Sequence, residues 1–80
     1  MKTRAISYFG WYGVSAILMA YALVSFNVIA TKSYLYQILN LTGALGIVLE
    51  AASKKDKQPA ILNAVWAVIA LIAIIQLFAK

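Results

Sequence analysis

Apolar residues run along this chain in three long blocks, and charge falls at their edges. Twenty-seven uncharged residues separate Arg4 from Lys32, 17 separate Lys32 from Glu50, and 22 separate Lys57 from Lys80. An α-helix needs about 20 mostly apolar residues to cross the roughly 30 Å hydrocarbon layer of a bilayer. The blocks therefore predict three spanning helices, near residues 5–27, 33–52 and 58–79. The second reaches full length by taking Glu50 into its last turn. In the third, Pro59 lies in the first turn, where its missing N–H has no intrahelical partner to lose. Thr31 or Ser33 is placed to cap the second helix. Connections at residues 30–33 and 53–57 are short enough to make neighbouring helices antiparallel. The expected fold is all-α, a three-transmembrane-helix bundle, with residues 1–80 forming one membrane domain without an internal repeat.

Composition supports this class. The 80 residues are 65% hydrophobic and 11% charged, with a mean hydropathy of +0.90, whereas charged residues make up about a quarter of an ordinary soluble domain. The sequence has no cysteine and no histidine. Thiolate chemistry, the commonest metal ligands and the usual near-neutral acid or base are therefore missing. Glu50 and Asp56 are the only carboxylates, and Asp56 sits in a lysine run, so no paired-carboxylate site is expected. We expect no enzymatic activity, no cofactor and no metal. The formal charge of +5 is spread over the ends of apolar runs instead of forming a stripe among stacking aromatics, so nucleic acid is not an expected partner; the lipid bilayer is.

The basic residues also orient the chain. With three spans, Lys2, Arg4, Lys54, Lys55 and Lys57 fall on one side, against Lys32 and Lys80 on the other. The positive-inside rule then places the N terminus in the cytoplasm and the C terminus outside. Tyr8, Trp11 and Tyr12 suit one interfacial belt, and Tyr34 and Tyr36 the opposite one. A cleaved signal peptide fits less well, because the apolar stretch that begins at Ala5 exceeds the usual 7 to 15 residues.

Polar groups inside hydrocarbon are costly unless hydrogen-bonded, so those within the spans should face other helices or a wet cavity. At about 100° per residue, Gln37, Asn40 and Ala44 share a face, and Asn40, Gly43, Ile47 and Glu50 form one polar and small stripe. On the third span Asn63, Ala67, Ala70 and Ile74 align, with Trp66 beside Asn63. On the first, Gly13, Ala16 and Ala20 make a smooth seam suited to close helix contact, while Gly10, Gly43 and Gly46 read as packing positions. Two readings stand for Asn40, Thr42 and Asn63. One is hydrogen bonding between helices of the bundle. The other is a pocket near mid-membrane in which Asn40, Asn63 and Gln37 meet the hydroxyls of a small neutral solute, with Trp66 as packing residue or as a wall against which a ring stacks. Glu50 is either a proton-coupling carboxylate or the partner of Lys54 one turn on.

The segments Tyr36-Gln37-Ile38-Leu39-Asn40-Leu41-Thr42-Gly43-Ala44 and Leu62-Asn63-Ala64-Val65-Trp66, preceded by Tyr21-Ala22-Leu23-Val24-Ser25, resemble a family of small uncharacterised bacterial three-helix membrane proteins over roughly residues 10–78. Through size, three-span layout and an asparagine early in the third helix, the chain is more distantly similar to the half-SWEET (SemiSWEET, PQ-loop) sugar transporters. That resemblance implies a half-SWEET-like unit with the third helix between the first two, a parallel homodimer, sugar passage by alternating access, and a pocket role for Asn63. Residues 21–27 lack the proline of that family's first-helix hinge, and the lysine count gives the opposite orientation.

Packing alone also argues for a dimer. Three helices about 8 to 10 Å apart close into a solid seam, so a solute path would lie between protomers. The expected function is a homodimeric transporter of a neutral polar solute such as a sugar, in a bacterial inner membrane. Its rivals are a structural or accessory protein packed against a larger partner, and a holin-like pore. Reporters fused at the two termini test the topology: a C-terminal fusion should be active only outside the cytoplasm and an N-terminal one only within it.

Overall fold

The computed structural model describes residues 3–79. Among them are three α-helices and no strand: α1 (Thr3–Ser25), α2 (Tyr34–Ser53) and α3 (Lys57–Ala79). Each is long and apolar enough to cross a membrane; 23 residues at 1.5 Å each give about 35 Å. Lys2 and Lys80, counted above for orientation, lie outside the described residues.

Local chemistry fixes the helix ends. Ser33 caps α2, its Oγ accepting from the Tyr36 N–H at 3.2 Å and donating to the Ala30 carbonyl at 2.7 Å. Of the two candidate caps, Ser33 is the one used. Helix α1 stops at Ser25, two residues before the expected 27, because Asn27 adopts a left-handed φ of 61°. The N–H of Val28 then reaches the Leu23 carbonyl at 2.9 Å and that of Asn27 the Val24 carbonyl at 3.0 Å. This is the paired closure of a Schellman motif, with asparagine in the position that glycine usually fills. Lys55, φ 58°, does the same for α2: Asp56 N–H bonds Ala51 O at 2.8 Å, and Lys55 N–H bonds Ala52 O at 3.1 Å.

Helix α2 is the middle of the bundle. Both α1 and α3 pack along it, and the described backbones of α1 and α3 do not approach each other. This order departs from the half-SWEET arrangement, in which the third helix takes the middle place. The reason lies in the side chains of α2, which offers two small surfaces. Gly43, Gly46 and Ile47 meet α1, where a Cβ at Gly13 would strike the Gly43 carbonyl, one at Gly46 would strike the Phe9 carbonyl, and one at Gly43 would stand 2.9 Å from the Gly13 carbonyl. Ala44 is fully covered, and the Ala67 and Ala70 ridge of α3 is buried in turn. The single stripe expected on α2 is thus shared between two neighbours. Antiparallel order follows from the ends: the Ser7 hydroxyl bonds Glu50 at 3.3 Å, and the Tyr34 and Phe78 rings lie 5.3 Å apart.

The buried residues are small or amide-bearing: Ala16, Ala20, Ala44, Ala51, Ala67 and Ala70, with Asn40 and Asn63. Large apolar side chains such as Leu18, Leu62, Ile69 and Ile75 point outward. Lipid tails are as apolar as leucine, so burying such side chains gains nothing, and close packing of small residues holds helices together instead. Gly13→Ala and Gly46→Ala place a methyl against backbone that cannot give way. Each should lower stability by about 1 to 3 kcal/mol in denaturant titration of the detergent-solubilised protein. At Gly10 the obstructing atoms are the flexible Glu50 carboxyl, so Gly10→Ala should cost less than either.

Candidate functional site

Between α2 and α3, toward the N-terminal end of α2, lies a trough of about 300 Å³ lined by Tyr36, Gln37, Asn40, Trp66, Ile69 and Ala70. Asn40 is 3% exposed. Its Nδ2 donates to the Tyr36 carbonyl one turn back at 2.8 Å, and its Oδ1 accepts from Trp66 Nε1 at 3.0 Å. The indole is therefore both a wall of the trough and a hydrogen-bonded clamp between α2 and α3. Gln37 donates from Nε2 to the Thr31 carbonyl at 2.9 Å, tying the α1–α2 connection onto α2. Three of the four residues singled out from the sequence, Gln37, Asn40 and Trp66, thus meet in one trough.

Asn63 does not join them. Its Nδ2 bonds the Pro59 carbonyl on its own helix at 2.9 Å, and the residue lines a separate cleft of about 200 Å³ between α1 and α3, floored by Ile47 and walled by Val14, Ile17, Leu18, Leu62 and Trp66. Trp66 lines both spaces and so divides them. Asn63 is 8% exposed, and among the described residues no donor reaches its Oδ1.

Hydrogen bonding between helices takes two further forms. Thr42 donates to the Ile38 carbonyl at 2.8 Å, which leaves Tyr12 to donate to Thr42 Oγ1 at 2.7 Å, linking α1 to α2. Glu50 pairs with Lys54 at 3.3 Å while accepting from Ser7, so of its two sequence readings the geometry gives the ion pair. No cluster of three acidic, cysteine or histidine side chains that could hold a metal occurs among the described residues.

One polar residue escaped the sequence reading. Gln76, with Thr31, Lys32, Gln37, Ala73 and Leu77, lines a separate space of about 190 Å³ that shares Gln37 with the trough and lies nearer the end of α3. Its signal was present: it is the one polar residue between Trp66 and Lys80, ten positions past Trp66 and about 80° round the helix from it. Chemically, the trough holds amides already engaged within the chain and no nucleophile with a base beside it.

The chain belongs to an uncharacterised protein family whose model matches residues 6–80. No curated protein and no solved structure matches it.

The clamp has a measurable strength. In a double-mutant cycle of Trp66→Phe and Asn40→Ala, unfolding in mild detergent should give a coupling of about 0.6 to 1.7 kcal/mol, the range for hydrogen bonds between membrane helices. Pairing Trp66→Phe with Asn63→Ala should give none.

Proposed function

We propose that this chain is a small integral membrane protein that acts as an accessory subunit, packing against a helix of a larger membrane protein. The observation that carries this reading is the amide of Asn63. Asn63 lines a cleft between two helices whose described backbones do not approach each other, in a segment apolar enough to sit in lipid, and no donor within the described chain meets its oxygen. An amide oxygen left open to lipid without a donor is disfavoured, because hydrocarbon offers it no hydrogen bond, and a polar side chain on a neighbouring helix would supply one. The cleft is otherwise apolar, as the flank of a membrane helix would be. On the lysine count, the N terminus is cytoplasmic, in a bacterial inner membrane. No catalytic role is proposed, since Glu50 is engaged by Lys54 and Ser7 and has no nucleophile beside it.

The trough at Asn40 favours a second reading, the homodimeric carrier of a neutral polar solute. It stands behind the first because Asn40 and Gln37 already spend amide donors within the chain and Asn63 lies outside the trough. A photo-crosslinking residue in place of Leu62 or Leu18, at the rim of the cleft, separates the two in native membranes. The accessory reading predicts one discrete adduct with a different protein, lost on Asn63→Leu. An absence of protein adducts, together with saturable sugar uptake by proteoliposomes, would replace it with the carrier; unsaturable leakage would point to a pore.

A further inference from the structure

The trough between α2 and α3 has a charge pattern that neither reading uses. Its inner part, at Asn40 and Trp66, and its outer part, at Lys32 and Gln76, share Gln37 as a common wall and lie in succession along α3, at Trp66, Ile69 and Ala70 and then at Ala73, Gln76 and Leu77. From Trp66 to Gln76 the two parts follow ten residues of α3, about 15 Å at 1.5 Å per residue. That is half of the roughly 30 Å hydrocarbon thickness of a bilayer, the depth of a single leaflet.

Polarity changes along this length. The inner walls are the Trp66 ring, Ile69 and Ala70, and the amide donors bordering them are engaged, Asn40 with Tyr36 and Gln37 with Thr31. That stretch suits hydrocarbon. At the outer end stand the Lys32 ammonium, the Gln76 amide and the Thr31 hydroxyl, all on exposed residues, and among the described residues neither Lys32 nor Gln76 has a side-chain partner. The two acidic side chains, Glu50 and Asp56, are both at the opposite end of the bundle, so among the described residues no acidic side chain neutralises Lys32. An oily slot one leaflet deep, with an ammonium and amide donors at its mouth, is complementary to an acyl chain carrying a negative headgroup.

We propose that the α2–α3 trough binds an anionic phospholipid, with an acyl chain against Trp66, Ile69 and Ala70 and the phosphate at Lys32 and Gln76. This stands apart from the accessory reading, which concerns the cleft on the other side of Trp66, and either can fail without the other. Lipid held there would fill the space between the outer parts of α2 and α3 and shield the Asn40–Trp66 bond from competing polar groups.

Fluorescence quenching tests it, because Trp66 is one of only two tryptophans and Trp11 is exposed and replaceable. Full-length Trp11→Phe protein is reconstituted in phosphatidylcholine vesicles containing increasing fractions of dibrominated phosphatidylglycerol or of dibrominated phosphatidylcholine. The expected result is half-maximal quenching at about five-fold lower mole fraction for the anionic lipid, the preference that one lysine near the membrane surface supplies. Lys32→Gln with Gln76→Leu should bring the two curves together, while Lys54→Gln with Lys55→Gln, at the other end, should leave them apart. Coincident curves in the parent protein, or a preference that survives loss of Lys32 and Gln76, would overturn the proposal.

Discussion

The structure depends on backbone meeting backbone between α1 and α2. In water, two helices join largely because their apolar faces leave solvent; in hydrocarbon that gain vanishes, and contact must be won by dispersion, which falls off steeply with distance. Gly13, Gly43 and Gly46 are where the carbonyls of one helix come so near the other that no side chain fits between. Once α1 is seated there, α2 has its alanine face left for α3, and α1 and α3 are kept apart. The cleft that Asn63 lines between α1 and α3 is thus a consequence of glycine placement on the other two helices.

Hydrogen bonding then sorts the polar groups. Asn40, Thr42 and Asn63 each donate to a carbonyl one turn earlier on their own helix, which settles a donor that lipid cannot satisfy. They differ in what remains. Asn40 has an oxygen for Trp66, Thr42 an oxygen for Tyr12, and Asn63 an oxygen with no described partner. The same residue types in the same kind of segment therefore do different work: two hold the bundle together, and the third gives the accessory reading its basis.

Much of the fold was legible because charge is so scarce. Gaps of 17 to 27 residues between charged positions leave few places for helices to end, and the small seam of Gly13, Ala16 and Ala20 announced a close contact. The partner of that seam was not legible, since periodicity gives the face of a helix but not what lies against it. The stripe on α2 showed the same limit: a band about 80° wide is broad enough to serve two neighbours, as it does. Asn40 and Asn63 were grouped by chemistry, yet the rotation of α3 sets Asn63 toward α1 and its neighbour Trp66 toward Asn40. The left-handed residues Asn27 and Lys55 ended their helices without a glycine to mark the place.

Helix order is the claim from which the rest follows, and disulfide trapping reads it directly in a chain that has no cysteine of its own. The Ser7 hydroxyl lies 3.3 Å from the Glu50 carboxylate, so cysteines at these two positions can meet, whereas the described backbones of α1 and α3 do not approach each other. In oriented membranes, Ser7→Cys with Glu50→Cys should oxidise readily within one chain, and Ser7→Cys with Ala60→Cys should not. Rapid bridging of positions 7 and 60 with none between 7 and 50 would put α3 in the middle and contradict the account.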